Sequence, residues 1–98
     1  MTRRVVFRQR AIAEIDEAAA WYEDQRKGLG REFTDAVSSS IESIKKNPLQ
    51  YQRVFKDRRR ALVARFRFNL IYFITEDEIV IVACLHGHRD PRRWMGRV

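Results

Sequence analysis

Ninety-eight residues confine this chain to one domain (1–98) with a single modest core and leave no room for a separate substrate domain. Charged residues make up 34% and the formal net charge is +7, a field that attracts polyanions or acidic protein segments. No apolar run approaches the roughly 20 residues of a membrane span, only Val5-Val6-Phe7 follow Arg3-Arg4 before charge resumes, and the lone Cys84 has no partner for an internal disulfide, so a cytoplasmic protein is expected.

Residues 3 to 8 read as a short strand. Ile12, Ile15, Ala19 and Tyr22 then recur at helical spacing, with acidic residues between them. Glu14, Asp16 and Glu17 are expected in the first turns of this helix, beside the partial positive charge of its N-terminus, and Lys27-Gly28 should end it with a left-handed glycine cap. Glu23 and Asp24 belong with them to a solvated acidic face. After the turn Gly28-Leu29-Gly30, a second helix carries Phe33, Val37, Ile41 and Ile44 on one stripe and closes with Lys45 and Lys46 before Asn47-Pro48, which cannot continue it. Ala18, Ala19 and Ala20 let the two helices approach closely as an antiparallel hairpin.

Beyond Pro48 the period becomes extended. Val54-Phe55 and residues 61 to 64 flank a basic cluster, and Phe66, Phe68, Leu70, Tyr72 and Ile74 alternate with Arg65, Arg67 and Asn69. The polar break Thr75-Glu76-Asp77-Glu78 makes residues 68 to 75 and 78 to 86 an antiparallel hairpin. Its second strand, apolar from Ile79 to Leu85, is expected at the centre of the sheet. The class is α+β in the order β-α-α-β-β-β, with an N-terminal helical hairpin on one face of a mostly antiparallel twisted sheet and the other face or the rim left free for function. Cys84 sits inside the apolar run and is read as a packing residue.

The charge is segregated. Residues 51 to 67 carry a net +6, residues 86 to 98 a net +3, and residues 10 to 46 a net −2. Arg58, Arg59, Arg60, Arg67 and Arg93 are therefore candidates for binding a polyanionic target, unless they serve only as charged, soluble strand edges. The strand end His86-Gly87-His88-Arg89-Asp90-Pro91 delivers imidazoles and a guanidinium to a sheet edge. No phosphate-binding loop, dinucleotide fingerprint or cysteine pair is present, His-Gly-His is too short and too cationic to hold a metal, and no cofactor is expected.

Several segments in fixed order resemble the RelE/ParE superfamily of type II toxin–antitoxin toxins: Ala19-Ala20-Trp21-Tyr22-Glu23, Gly28-Leu29-Gly30-Arg31-Glu32-Phe33, Ile44-Lys45-Lys46-Asn47-Pro48, Arg59-Arg60-Ala61-Leu62, Arg65-Phe66, and the terminal His86 to Trp94. Arg67 departs from the proline that many relatives carry there. The resemblance implies a growth-arresting toxin of the plasmid-stabilisation type that a cognate antitoxin protein neutralises. Its implied targets are DNA gyrase, toward which the balance leans, or the ribosome and its messenger RNA; a basic binding module without toxicity is the third reading.

Metal-free RNA cleavage needs a base for the 2′-hydroxyl, cations for the phosphorane and an acid for the leaving oxygen. If the chain is an endoribonuclease, His86 or His88 would supply the proton transfers, with Arg65 and Arg89 as the cationic clamp. Each has a plainer role in holding the strand end and turn. The antitoxin is expected to lie across the helical hairpin and sheet edge, cover an apolar patch that includes Trp21, Leu29 and Phe33, and neutralise part of the Arg cluster with its own acidic residues, so the free chain should be poorly soluble or self-associating.

Overall fold

In the computed structural model, which describes residues 3–87 and 91–98, the apolar run from Ile79 to Leu85 forms the spine of the sheet. The elements are β1 (Arg4–Phe7), α1 (Gln9–Gln25), α2 (Leu29–Lys46), β2 (Arg53–Phe55), β3 (Arg58–Val63), β4 (Phe68–Ile74), β5 (Glu78–His86) and the single turn α3 (Arg92–Met95). The strands lie in the order β1-β5-β4-β3-β2. β1 runs parallel to β5 and the other pairs are antiparallel. The α+β class, the helical hairpin and the central position of β5 match the expectation, which lacked one strand and the last helix.

The missing strand has a local cause. β2 is three residues long and turns into β3 at Lys56-Asp57, where Lys56 takes a left-handed φ of 52°. That conformation normally advertises itself through glycine or asparagine, and here a lysine adopts it. The same holds between β3 and β4. Arg65 and Arg67, expected to open a strand, form a turn with φ of 72° and 55°.

The helices pack through one face of the sheet. Phe33, Val37 and Ile44 of α2, with Ala11 and Ala18 of α1, are buried against Leu70, Tyr72, Ile79, Ile81 and Cys84. Gly30 sets the crossing: a Cβ there would stand 2.7 Å from the Ala19 carbonyl oxygen, so only glycine permits this approach. Acidic residues do not occupy the first turn of α1, which begins at Gln9. The helix ends at Arg26 in extended backbone, and Gly28, with φ of 91°, is instead the residue that starts α2. No helix among the described residues is long and apolar enough to cross a membrane.

The opposite face of the sheet is not free. Ile71, Val80, Val82, Ala83 and Leu85 form a second core, closed by Trp94. Residues after α3 tie this cover down. β1 stops pairing at Phe7 opposite Ile81, so the outward backbone of β5 beyond that point lacks a neighbouring strand. Glu14 accepts the Cys84 N–H at 3.0 Å, and Arg97 donates to the Val82 carbonyl at 3.1 Å. Arg97 and Glu14 also form a two-pronged ion pair at 2.8 Å on each prong, their side chains 12% and 11% exposed. The Arg8 side chain reaches the Val98 carbonyl and that of Arg58 reaches the Arg97 carbonyl.

Removing one partner of a buried pair strands the other charge, at a typical cost of about 3 kcal/mol or more. Arg97→Ala is therefore expected to lower unfolding stability by about that amount and Arg97→Lys by less. Urea denaturation checks this; a loss within the error of the wild type would show that the pair does not hold the sheet.

Candidate functional site

The strand end and the β3–β4 turn meet at one end of the molecule. Gly87 donates its N–H to the Arg67 carbonyl at 2.8 Å, and Tyr22 of α1 donates its hydroxyl to the Phe66 carbonyl at 3.0 Å. The Phe66 side chain is buried among the rings of Tyr22 and Phe33, with centroids 4.9 Å and 5.2 Å away. These contacts hold two non-glycine residues in left-handed backbone, which costs roughly 1–3 kcal/mol each and persists only where the surroundings fix it.

His86 lies half-buried at the end of β5, its ring edge-on to Phe68 at 5.6 Å between centroids. Arg65, its expected partner in catalysis, lies over Phe66 and pairs with Glu32 of α2 at 3.4 Å. Glu32 is shared, since its other oxygen meets Arg26 at 3.3 Å. Arg67 is exposed and has no ion-pair partner among the described residues. Arg89 and His88 lie outside the described residues. Among the described residues, no three of His, Cys, Asp and Glu gather where they could hold a metal ion.

The other basic candidates divide. Arg58 is mostly buried, stacks over the Phe73 ring at 4.2 Å and donates to Asp57 and to the Arg97 carbonyl. Arg59 donates to the carbonyls of Leu49 and Tyr51. Both brace the fold rather than offering free cations. Arg60 is exposed on β3, with one bond to Gln52, and Arg93 is exposed on α3.

A groove of about 930 Å³ runs between α1 and the end of β5, lined in part by Trp21, Tyr22, Phe68, Leu85, His86 and Arg93. Trp21 is 58% exposed, while Leu29 is half-buried against the core. Phe33, expected on the same patch, is fully buried and cannot contact a partner. Its place on the inner stripe of α2, beside Val37 and Ile44, is the signal that would have corrected the assignment.

Two roles escaped the sequence. Glu14 was assigned to the solvated face, yet it closes β5 together with Arg97. Glu23 accepts the N–H groups of Gly28 and Gly30 at 3.0 Å, capping α2 from the neighbouring helix. A carboxylate five residues before a Gly-X-Gly helix start is the pattern that could have revealed it. Cys84 is 1% exposed, and burial, with the Glu14 charge adding, pushes its thiol up to about 12. It is a packing group and not a nucleophile at neutral pH.

The sequence matches the family described as the ParE toxin of the type II toxin–antitoxin system parDE, over residues 5–91. The chain belongs to the ParE toxin family. Toxin ParE2 of Mycobacterium tuberculosis is 30% identical over 95 residues, covering 93% of this chain and 88% of that protein. Among solved structures, a chain from the chromosomal ParDE system of P. aeruginosa superposes with a TM-score of 0.77 at 13% identity, covering 87% of this chain and 96% of its own. A free-state arginine-substituted mutant of the E. coli toxin RelE gives 0.67 at 13% identity, covering 90% and 86%. As a member of the ParE family, the chain is a toxin of a type II system and has an antitoxin as its partner.

The Gly28 and Gly30 N–H groups hold the Glu23 carboxyl below its ordinary value of 4.5. A depressed carboxyl contributes stability that is full above the unfolded value and is lost as pH falls through the folded one. Glu23→Gln is therefore expected to destabilise the protein at pH 7, with the gap to wild type narrowing steadily below about pH 4.5. Thermal unfolding across pH 3 to 7 measures it, and a gap independent of pH would rule out the charge as the cause.

Proposed function

We propose that this toxin arrests growth by binding DNA gyrase and does not cut RNA. The observation behind this reading is that the two candidate groups for phosphoryl chemistry within the described residues turn to different neighbours. Arg65 pairs with Glu32, and His86 packs against Phe68. A general acid–base pair needs a cation and an imidazole converging on one reacting phosphate. A binding surface needs only exposed aromatic and arginine groups on a rigid frame, which Trp21, Arg60, Arg67 and Arg93 supply. The match to the ParE toxin family favours the same side.

The antitoxin is assigned to the groove between α1 and β5, where exposed Trp21 is the apolar anchor. Trp and Arg dominate the energetics of protein interfaces. Covering Trp21 would remove the largest aromatic surface the free chain leaves in water.

Inducible expression in a bacterial host, with DNA and protein synthesis followed by pulse labelling in one culture, tests the target. DNA synthesis is expected to fail first, and purified toxin is expected to inhibit supercoiling by gyrase. His86→Ala should retain most of the toxicity. Early collapse of protein synthesis, abolished by His86→Ala, would establish the ribonuclease reading instead.

A further inference from the structure

The β3–β4 turn carries a feature that growth arrest does not explain. Two arginines at its corners are locked in left-handed backbone by contacts from α1 and from the end of β5. Rigid presentation of long cations lowers the entropy lost when they meet a ligand. Arg26, Lys27 and Arg31 stand at the adjoining end of the helical hairpin together with Glu23, Asp24 and Glu32, so with Arg65 and Arg67 this pole carries a net positive charge.

One carboxylate already occupies it. Glu32 places one oxygen 3.3 Å from Arg26 and the other 3.4 Å from Arg65, with all three side chains between 38% and 66% exposed. Long, exposed pairs of this kind hold weakly. Glu32 therefore marks a two-arginine seat for a carboxylate and competes for it only lightly. Arg67, two residues further along the same turn, is exposed and has no ion-pair partner among the described residues.

We propose that this seat, formed by Arg26, Arg65 and Arg67, docks an acidic segment of the antitoxin, which displaces Glu32 on binding. Continuity selects that source. Tyr22 lines the Trp21 groove and its hydroxyl fixes the Phe66 carbonyl of the turn, so a protein segment leaving the groove arrives at the seat. The resident group is a carboxylate, which the side chains of an acidic peptide reproduce. Planar guanidinium forks accept it in two places. The proposal rests on the antitoxin reading of the groove for the identity of the partner; the binding site itself is measured without it.

The probe is a fluorescein-labelled oligoglutamate peptide, followed by anisotropy at low salt, with oligothymidylate as competitor. Glu32→Gln is expected to tighten binding about threefold beyond Glu42→Gln, which changes the charge equally on the far part of α2. Arg67→Gln is expected to weaken it about threefold beyond Arg53→Gln, a matched charge loss on β2. Tyr22→Phe should also weaken it, with the fold verified by thermal unfolding. Equal effects for each matched pair would mean diffuse charge attraction and overturn the proposal, as would oligothymidylate competing more strongly than unlabelled oligoglutamate. Unchanged toxicity neutralisation by Trp21→Ala would count against the groove, and peptide binding at the turn would then stand or fall separately.

Discussion

The sheet depends on how its central strand is finished. β1 covers only the first half of the outward edge of β5, so the second half exposes main-chain groups that would be costly to bury without partners. A carboxylate from α1 and a guanidinium from the C-terminal segment take the places of a missing strand. Because Glu14 and Arg97 also bond each other, one ion pair joins the helical layer, the middle of the sheet and the cover on its far face. Arg97 follows Trp94, which closes the second core, by three residues, so the same tie anchors the segment that carries this cover.

A net charge of +7 gives a poor count of binding groups until the structural arginines are set apart. Arg58, Arg59 and Arg97 donate to the protein's own carbonyls, a task suited to a planar group with five donors. They are fixed by internal geometry and do little to draw a partner. What remains outward, around the β3–β4 turn and on α3, is smaller than the sequence total implies and is better defined in space. The outward charge is thus a matter of placed forks more than of overall field.

Periodicity made the large elements legible. The Phe33, Val37, Ile41 and Ile44 stripe located α2, and the unbroken run from Ile79 to Leu85 announced an interior strand, although the cover on its second face was not expected. The same pattern, followed strictly, would have kept Phe33 out of the partner surface. What the chain did not announce were turns made by lysine and arginine, since propensity assigns left-handed backbone to glycine and tertiary contacts overrode it at residues 56, 65 and 67. Side chains acting for backbone, as with Glu14, Glu23 and Arg97, were equally hidden, because an acid on a helix reads as solvated until something across the fold calls on it. Trp21 and His86 stood out in the sequence as candidates, whereas the pairing of Arg65 with Glu32 joins positions 33 residues apart and had no local signal.

The tie between Glu14 and Arg97 spans 83 positions of sequence, and the parallel pairing of β1 with β5 spans 74. Contacts of such separation form late, since the closure entropy must be met before they contribute. The helical hairpin, built from neighbours in sequence, can assemble while the chain is still being made, but the outer edge of β5 is not finished until Arg97 is in place. During that interval α1 and its exposed tryptophan are present without a completed toxin. The groove that Trp21 shares with His86 and Arg93 is therefore completed only by the same late step that finishes the sheet.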